Sequence, residues 1–298
     1  MTTTVDVGVC TFRRPSLRDT LVSLARQALP DGCSLRVIVA DNDEAPSAEP
    51  LVRAIAVEQG LAVTYVHAPA RNISIARNAC LAAAGAEWFA FIDDDETAAP
   101  DWIARLLAEA ERGGWDAVLG PVKALYSDEA PRWLAAGDFH STAPVEVGGR
   151  ILKGYSCNVL MRTRAVAERG LTFKLELGRQ GGEDDDFFYR LTDAGGTIGY
   201  AGDAWTYEPV PPHRARLGWL LERSFRTGQT HADRLTQRHR GPARLAQTGI
   251  AAAKGGVCLA GAAATAWSAK QRSRWLVRGA LHAGAVARLA GMPVLELY

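Results

Sequence analysis

Over its first two hundred residues the chain alternates short apolar runs with amphipathic stretches, the pattern of a mostly parallel sheet covered by helices. Residues 5–10, 35–40, 62–67 and 88–92 read as strands. Between them, 16–29 sets Leu17, Leu21, Leu24 and Ala28 on one helical face, with Ser16 as the expected N-cap and Asp19 in the first turn. Helices are also expected over 49–59, 73–84 and 101–112, the last announced by Pro100-Asp101.

After Val122 the periodicity loosens, and 124–147, with Trp133, Phe139 and several turn formers, reads as a long excursion. Long loops inside compact domains tend to be functional. Regularity returns with a strand over 151–161, a helix over 183–194 and a short strand over 197–200. Pro209, Pro211 and Pro212 then punctuate the chain, which places the expected domains at 1–210 and 211–298. The second holds helical patterns over 217–235, 249–269 and 272–289. The middle one approaches the length of a bilayer span, but Lys254 interrupts it and alanine and glycine give little transfer energy. It is expected to lie on a surface or pack on a partner.

Composition, at 48% hydrophobic and 22% charged over 298 residues, excludes a disordered chain, a collagen and a coiled coil. Five scattered cysteines without a CxxC pair favour reduced thiols over disulfides or a zinc site. The N-terminus lacks the basic-then-apolar layout of a signal peptide, so a cytoplasmic protein is expected. Charge changes the picture more. Residues 208–298 carry 14 Lys and Arg against 4 Asp and Glu, leaving 20 against 29 for the rest. An acidic body with a basic tail suggests peripheral contact between the tail and the anionic inner membrane; the plainer reading is a solvated helical face.

Polar groups collect where the strands end, which is where open parallel sheets hold ligands. Thr11-Phe12-Arg13-Arg14 follows the first strand and Asp41-Asn42-Asp43 the second. Arg71 and Arg77 flank the start of the helix after the third, and Asp93-Asp94-Asp95-Glu96 follows the fourth. Carboxylates crowded at the end of a buried strand repel one another unless a cation lies between them, so this cluster reads as a divalent-metal site. A hard ion held that way completes its shell with water and phosphate oxygens, which points to a phosphate-bearing substrate. Gly181-Gly182-Glu183-Asp184-Asp185-Asp186 supplies a candidate base among four acids, although an acidic helix N-terminus is the plainer reading.

Taken in order, these motifs resemble those of family 2 glycosyltransferases. The matching pieces are Val9-Cys10-Thr11-Phe12-Arg13-Arg14, Val39-Ala40-Asp41-Asn42-Asp43, Ile75-Ala76-Arg77-Asn78, Phe91-Ile92-Asp93-Asp94-Asp95 and Gly182-Glu183-Asp184-Asp185-Asp186-Phe187, spread over about residues 5–208. Within the family the likeness is to bacterial exopolysaccharide enzymes of the succinoglycan type. The resemblance implies an α/β fold of the GT-A kind, a Rossmann-like mixed sheet flanked by helices, followed here by a helical extension. It implies Asp184 as catalytic base with Glu183 beside it. Asp41 would bind uracil and Thr11 line its pocket, with Arg13, Arg77, Asp94 and Asn158 also in the nucleotide-sugar site. Asp93 would face the ribose and the metal, Asp95 would ligate Mn2+ or Mg2+, and His213 would be a further ligand. The implied reaction is inverting transfer of one sugar from a nucleotide donor, UDP-linked, to a glycan or lipid-linked acceptor; no nucleic-acid partner is expected. The QxxRW motif of processive members is missing, and Arg223 or Arg226 stands in the comparable place.

Three rivals fit parts of the pattern. Asp93-Asp94-Asp95-Glu96-Thr97 also matches the DxDxT of haloacid-dehalogenase phosphatases, but three strands precede it where that motif follows the first. A nucleotidyltransferase would open with a glycine-rich loop that Cys10-Thr11-Phe12-Arg13-Arg14 lacks. A non-catalytic nucleotide-sugar-binding protein would tolerate loss of Asp95 or Asp184.

Overall fold

The computed structural model describes residues 3–238 and 241–295, without the side chains of 237 and 238. It divides into two units, one running to Leu125 and resuming over Ser141–Pro209, the other made of Tyr126–His140 and the residues from Val210 on. The second unit thus takes in a stretch that the sequence analysis assigned to the 1–210 range.

The first unit begins β1 (Thr3–Thr11), α1 (Leu17–Ala25), β2 (Cys33–Asp41), α2 (Glu49–Gln59), β3 (Val63–His67), α3 (Ile73–Ala83) and β4 (Trp88–Ile92). It continues through β5 (Thr97–Ala98), α4 (Trp102–Gly113), β6 (Ala117–Leu119) and β7 (Val122–Leu125). After α5 (Arg132–Gly137), which belongs to the second unit, follow β8 (Glu146–Val147), β9 (Arg150–Ile151), β10 (Asn158–Arg162) and α6 (Thr163–Glu168). The unit closes with α7 (Glu183–Asp193), β11 (Ile198–Tyr200) and β12 (Thr206–Pro209).

Seven strands form the central sheet in the order β11-β6-β10-β4-β1-β2-β3. β1 runs parallel to both β2 and β4, while β10 is antiparallel to β4 and β6, so the sheet is mixed. Side-chain alternation sorts the strands onto two cores. Val5, Val7 and Val9 with Trp88 and Ala90 pack beneath α1, α2 and α4; Phe89 and Phe91 face the other way, with Ala76, Cys80, Phe173, Phe187 and Phe188. Because both faces are covered, the central strands read as unbroken apolar runs, which made β4 conspicuous in the sequence.

Two expectations are corrected here. Ser16 lies in the right-handed helical region and its hydroxyl makes no cap hydrogen bond, and α1 stops at Ala25. The strand expected over 151–161 is in fact the two-residue β9 and, after a loop, β10 from Asn158.

In the second unit, α8 (Leu217–Arg238), α9 (Pro242–Ala264) and α10 (Ala269–Leu289) follow one another, and α8 and α10 meet at two glycines. A Cβ on Gly228 would fall 1.9 Å from the Leu281 carbonyl oxygen, and one on Gly284 would fall 1.8 Å from that of Phe225, so only glycine permits this backbone approach. Residues 126–140 are tied in by His140. Its Nδ1 pairs with the Tyr126 hydroxyl (3.0 Å), its Nε2 with the Arg214 carbonyl (3.2 Å), and its ring stacks on Trp219 at 5.1 Å. Leu134 is fully buried, and Arg274 on α10 donates to the carbonyl of Gly137.

Candidate active site

Three parallel strands and one antiparallel strand bring their polar ends to the same edge. Thr11 ends β1 opposite Asp41 at the end of β2, and Asn158 opens β10 opposite Ile92 at the end of β4. Asp93, Asp94, Asp95 and Glu96 therefore leave β4 at the sheet edge where ligands bind in such folds. Gly181 and Gly182, at φ +78° and +89°, make the left-handed turn that starts α7. Its first turn carries Glu183, Asp184, Asp185 and Asp186.

Arg77 is the centre of the site. It is buried on α3, and its Nη1 reaches Glu183 Oε1 at 2.6 Å and Asp184 Oδ1 at 2.9 Å, while Nη2 lies 4.0 Å from Asp93 Oδ1. One cation thus links the strand-end acids to the helix-end acids. The acidic run splits by helical geometry: Glu183 and Asp184 face Arg77, whereas Asp185 pairs with Lys153 and Asp186 with Lys174 and Arg190. Arg77, expected to touch the nucleotide, is spent on holding these carboxylates.

Electrostatics follow from that packing. Burial raises Asp184 to about 6, helped by the Glu183 charge and opposed by Arg77 and by the Ser156 N–H, which donates to Oδ2 at 3.3 Å. Burial likewise raises Asp93 to about 8; Arg77 opposes this, and Asp95, Asp184 and Asp94 add to it. Asp93 nevertheless keeps 44% of its side-chain surface open to solvent, so a ligand can reach it. Asp94 is raised to about 6, chiefly by burial.

The other expected residues separate into those that remain available and those already engaged. Asp94 Oδ2, Glu96 Oε2 and Glu183 Oε2 are buried without a hydrogen bond, and the buried hydroxyls of Thr11 and Ser156 lie beside the carboxylates of Asp94 and Asp184. Orphaned buried oxygens are costly, and three of them on the acids that follow β4 and open α7 mark a place built for a ligand. Arg13 donates twice to Asp43, from Nε to Oδ2 (2.7 Å) and from Nη2 to Oδ1 (2.9 Å), joining the β1 and β2 loops. Asp41 is fully buried, and its oxygens accept from the Asp43 N–H, the Ala48 N–H and the Tyr65 hydroxyl, so it organises the loop after β2.

Asn158, expected to face the sugar, is instead a brace. Its Oδ1 accepts from Trp102 Nε1 (2.8 Å), and its Nδ2 donates to the carbonyls of Pro121 (2.9 Å) and Ala204 (2.8 Å), with the side chain wholly enclosed. Asn158→Ala leaves all three groups unpaired and is expected to destabilise the protein by about 3 kcal/mol. Denaturant unfolding checks this; a loss below about 1 kcal/mol would be at odds with a bracing role.

The expected metal ligands were Asp93, Asp95 and His213. Asp95 Oδ2 accepts from Arg14 Nη1 at 3.1 Å, and His213 is an exposed residue of the second unit whose carbonyl accepts from Arg216 Nε. Asp93 instead groups with Glu96 and Cys157, their ligand atoms all within 4.8 Å of one another. Burial, then Asp93, raise Glu96 well above the usual carboxylate range, and burial, then Glu96 and Asp93, keep the Cys157 thiol protonated. Sulfur is a soft donor, so the oxygens of Asp93, Glu96 and Asp95 are the donors that fit a hard ion such as Mn2+ or Mg2+. Glu96 and Cys157 were not among the expected site residues. The signal for Glu96 was its place as fourth acid after β4; nothing in the pattern marked Cys157.

A mixed sheet of this order, with its acids at the end of the fourth strand, is that of the GT-A nucleotide-sugar transferases. The chain belongs to glycosyl transferase family 2, whose model matches residues 6–170, and it is a glycosyltransferase. It is 49% identical over 294 residues to the succinoglycan biosynthesis protein ExoM of Rhizobium meliloti (strain 1021), covering 99% of this chain and 95% of that one. Its fold is similar to that of the mannosyltransferase PcManGT from Pyrobaculum calidifontis in complex with GDP-Man and Mn2+, with a TM-score of 0.66, 21% identity, and 97% and 88% of the two chains covered. It is also similar to S. aureus TarS 1-349 in complex with UDP, with a TM-score of 0.55, 19% identity, and 98% and 92% covered. Family membership sets aside the phosphatase, the nucleotidyltransferase and the non-catalytic binding protein.

Proposed function

We propose that the protein is an inverting, divalent-metal-dependent glycosyltransferase that moves one sugar from a nucleotide donor, UDP-linked, to a glycan or lipid-linked oligosaccharide in bacterial exopolysaccharide synthesis, working on the cytoplasmic face of the inner membrane. The observation that carries the proposal is the bridge Asp93–Arg77–Glu183/Asp184, which brings a candidate base close to the acids at the end of β4. The pathway is suggested by the ExoM relative, and the donor class and ion by the UDP, GDP-Man and Mn2+ of the structural neighbours.

In this reading the acceptor hydroxyl oxygen attacks the anomeric carbon, its proton passes to Asp184 Oδ1 or Oδ2, and the nucleoside diphosphate leaves with the electron pair of the broken C–O bond. One direct displacement inverts the anomeric centre. Mn2+ or Mg2+, held by Asp93 with Glu96 or Asp95, would neutralise the departing diphosphate. Arg77 keeps Asp184 aimed and, by opposing the effect of burial, keeps enough of it ionised to take the proton near neutral pH. Arg14, Arg13 and the buried Thr11 hydroxyl border the donor side.

A donor screen tests this: full-length protein, Mn2+ or Mg2+, a panel of UDP-, GDP- and dTDP-sugars, and detection of released nucleoside diphosphate. The expected result is metal-dependent release from a UDP-sugar that Asp95→Ala and Asp184→Ala abolish. Release from every donor without added metal, or undiminished release in both variants, would overturn it.

A further inference from the structure

On α9 the buried residues Ala251, Cys258 and Ala262 lie on one side of the helix. The opposite arc, from Leu245 through Gly249, Ala252, Gly256 and Ala263, carries no polar side chain, and Lys254 stands at its margin. This arc is open to solvent: Leu245 is 74% exposed, Val257 62% and Leu259 64%, and Trp267, just past the helix end, is 85% exposed. An amphipathic helix of a soluble domain normally turns charges outward, so an outward arc without them needs a cover.

Charge says what the cover is. Residues 241–295 hold seven Lys and Arg and no Asp or Glu. Among the described residues Lys254, Lys270 and Arg278 have no ion-pair partner, and Lys254 and Arg278 both lie close to His282. An apolar arc with Lys254 at its margin, followed by an exposed indole and by the cations Lys270 and Arg278 of α10, matches the boundary of an anionic bilayer, where acyl chains take the arc, phosphates take the cations and the indole sits at the headgroup level. Among the described residues no helix is long and apolar enough to cross a membrane, so such a helix would lie along the surface.

We propose that α9 and Trp267 form a membrane-docking face that lies in the plane of an anionic lipid surface. This rests on the inner-membrane location proposed above and names the surface that would give it, but it stands apart from the donor chemistry, because lipid binding is read without turnover.

The test is flotation of the full-length protein with vesicles of phosphatidylcholine alone or with 30% phosphatidylglycerol, for the wild type, Leu259→Ser/Trp267→Ala and Lys254→Glu/Lys270→Glu. The expected result is binding at least about tenfold stronger to the anionic vesicles, weakened at least about fivefold by either pair of substitutions and by raised salt. Circular dichroism and nucleotide release in solution should be unchanged, which separates loss of docking from misfolding. Equal binding of all three proteins, or none by the wild type, would overturn the proposal. So would a concentration-dependent dimer in sedimentation that Leu259→Ser/Trp267→Ala dissociates, which would give the face to a second copy of the chain.

Discussion

Replacing Asp184 by asparagine is expected to lower kcat by about 10²- to 10⁴-fold, the usual contribution of a positioned general base, while the donor KM moves by no more than a few-fold. Asparagine keeps the shape and accepts from the Ser156 N–H as the carboxylate does, but it cannot take a proton. The same residue sets the pH profile. As the proposed base Asp184 has to be ionised, and burial raises it to about 6, so wild-type kcat/KM should fall about tenfold per unit as pH drops below that point. The residual activity of Asp184→Asn should lack this limb. A limb that persists in the variant would assign the titration to another group, with Asp94, also raised to about 6, the first to examine.

The second large effect is expected at Arg77. Arg77→Met removes the only cation in contact with Glu183 and Asp184 among the described residues, leaving two carboxylates at the buried helix end uncompensated. Breaking a buried ion pair from one side costs about 3–5 kcal/mol, to be read by denaturant unfolding at pH 7.5. The sign with pH is determined. Arg77 pulls both Asp184 and Asp93 downward, so its loss raises both further above their unfolded values. A carboxyl raised by folding contributes stability at low pH that is lost as pH climbs through the folded value. The deficit of Arg77→Met should therefore shrink toward pH 5, and the acid limb of its remaining activity should move to higher pH. Arg77→Lys keeps the charge but lacks the fork that spans two carboxylates, and should recover part of the stability. A deficit that does not depend on pH would count against the bridge.

How far these features could be read from the sequence depended on whether they were local. β4 and its acids were legible because a five-residue apolar run buried on both faces, followed at once by carboxylates, has few other readings. α7 was legible for the same reason, two glycines and then an acidic first turn. What stayed hidden was which atoms are already engaged. Asp41 and Asn158 sit at strand ends as expected, but their partners Tyr65, Trp102 and Ala204 are brought to them only by tertiary packing. Nothing within four residues of Asn158 announces that its amide is saturated. The three- and four-residue strands β6 and β7 are too short for a period-two pattern to register, so β6 went unmarked between the helix expected over 101–112 and Val122, and β7 merged into the irregular stretch that begins there. Ser16 had the right neighbours for a cap and the wrong backbone angles, which sequence spacing does not report.

The split second unit bears on how the chain is made. Residues 126–140 leave the ribosome about 80 residues before Trp219, the ring on which His140 stacks, and still further ahead of α10, whose Arg274 holds Gly137. At roughly 5–20 residues per second, that is a wait of about 4–16 s during synthesis. Through that interval, while β8 to β12 of the first unit are being made, Leu134 lacks the later helices of its own unit. A nascent chain stopped near residue 210 should therefore be the species that chaperones hold and proteases cut, with cleavage concentrated between Leu125 and Ser141.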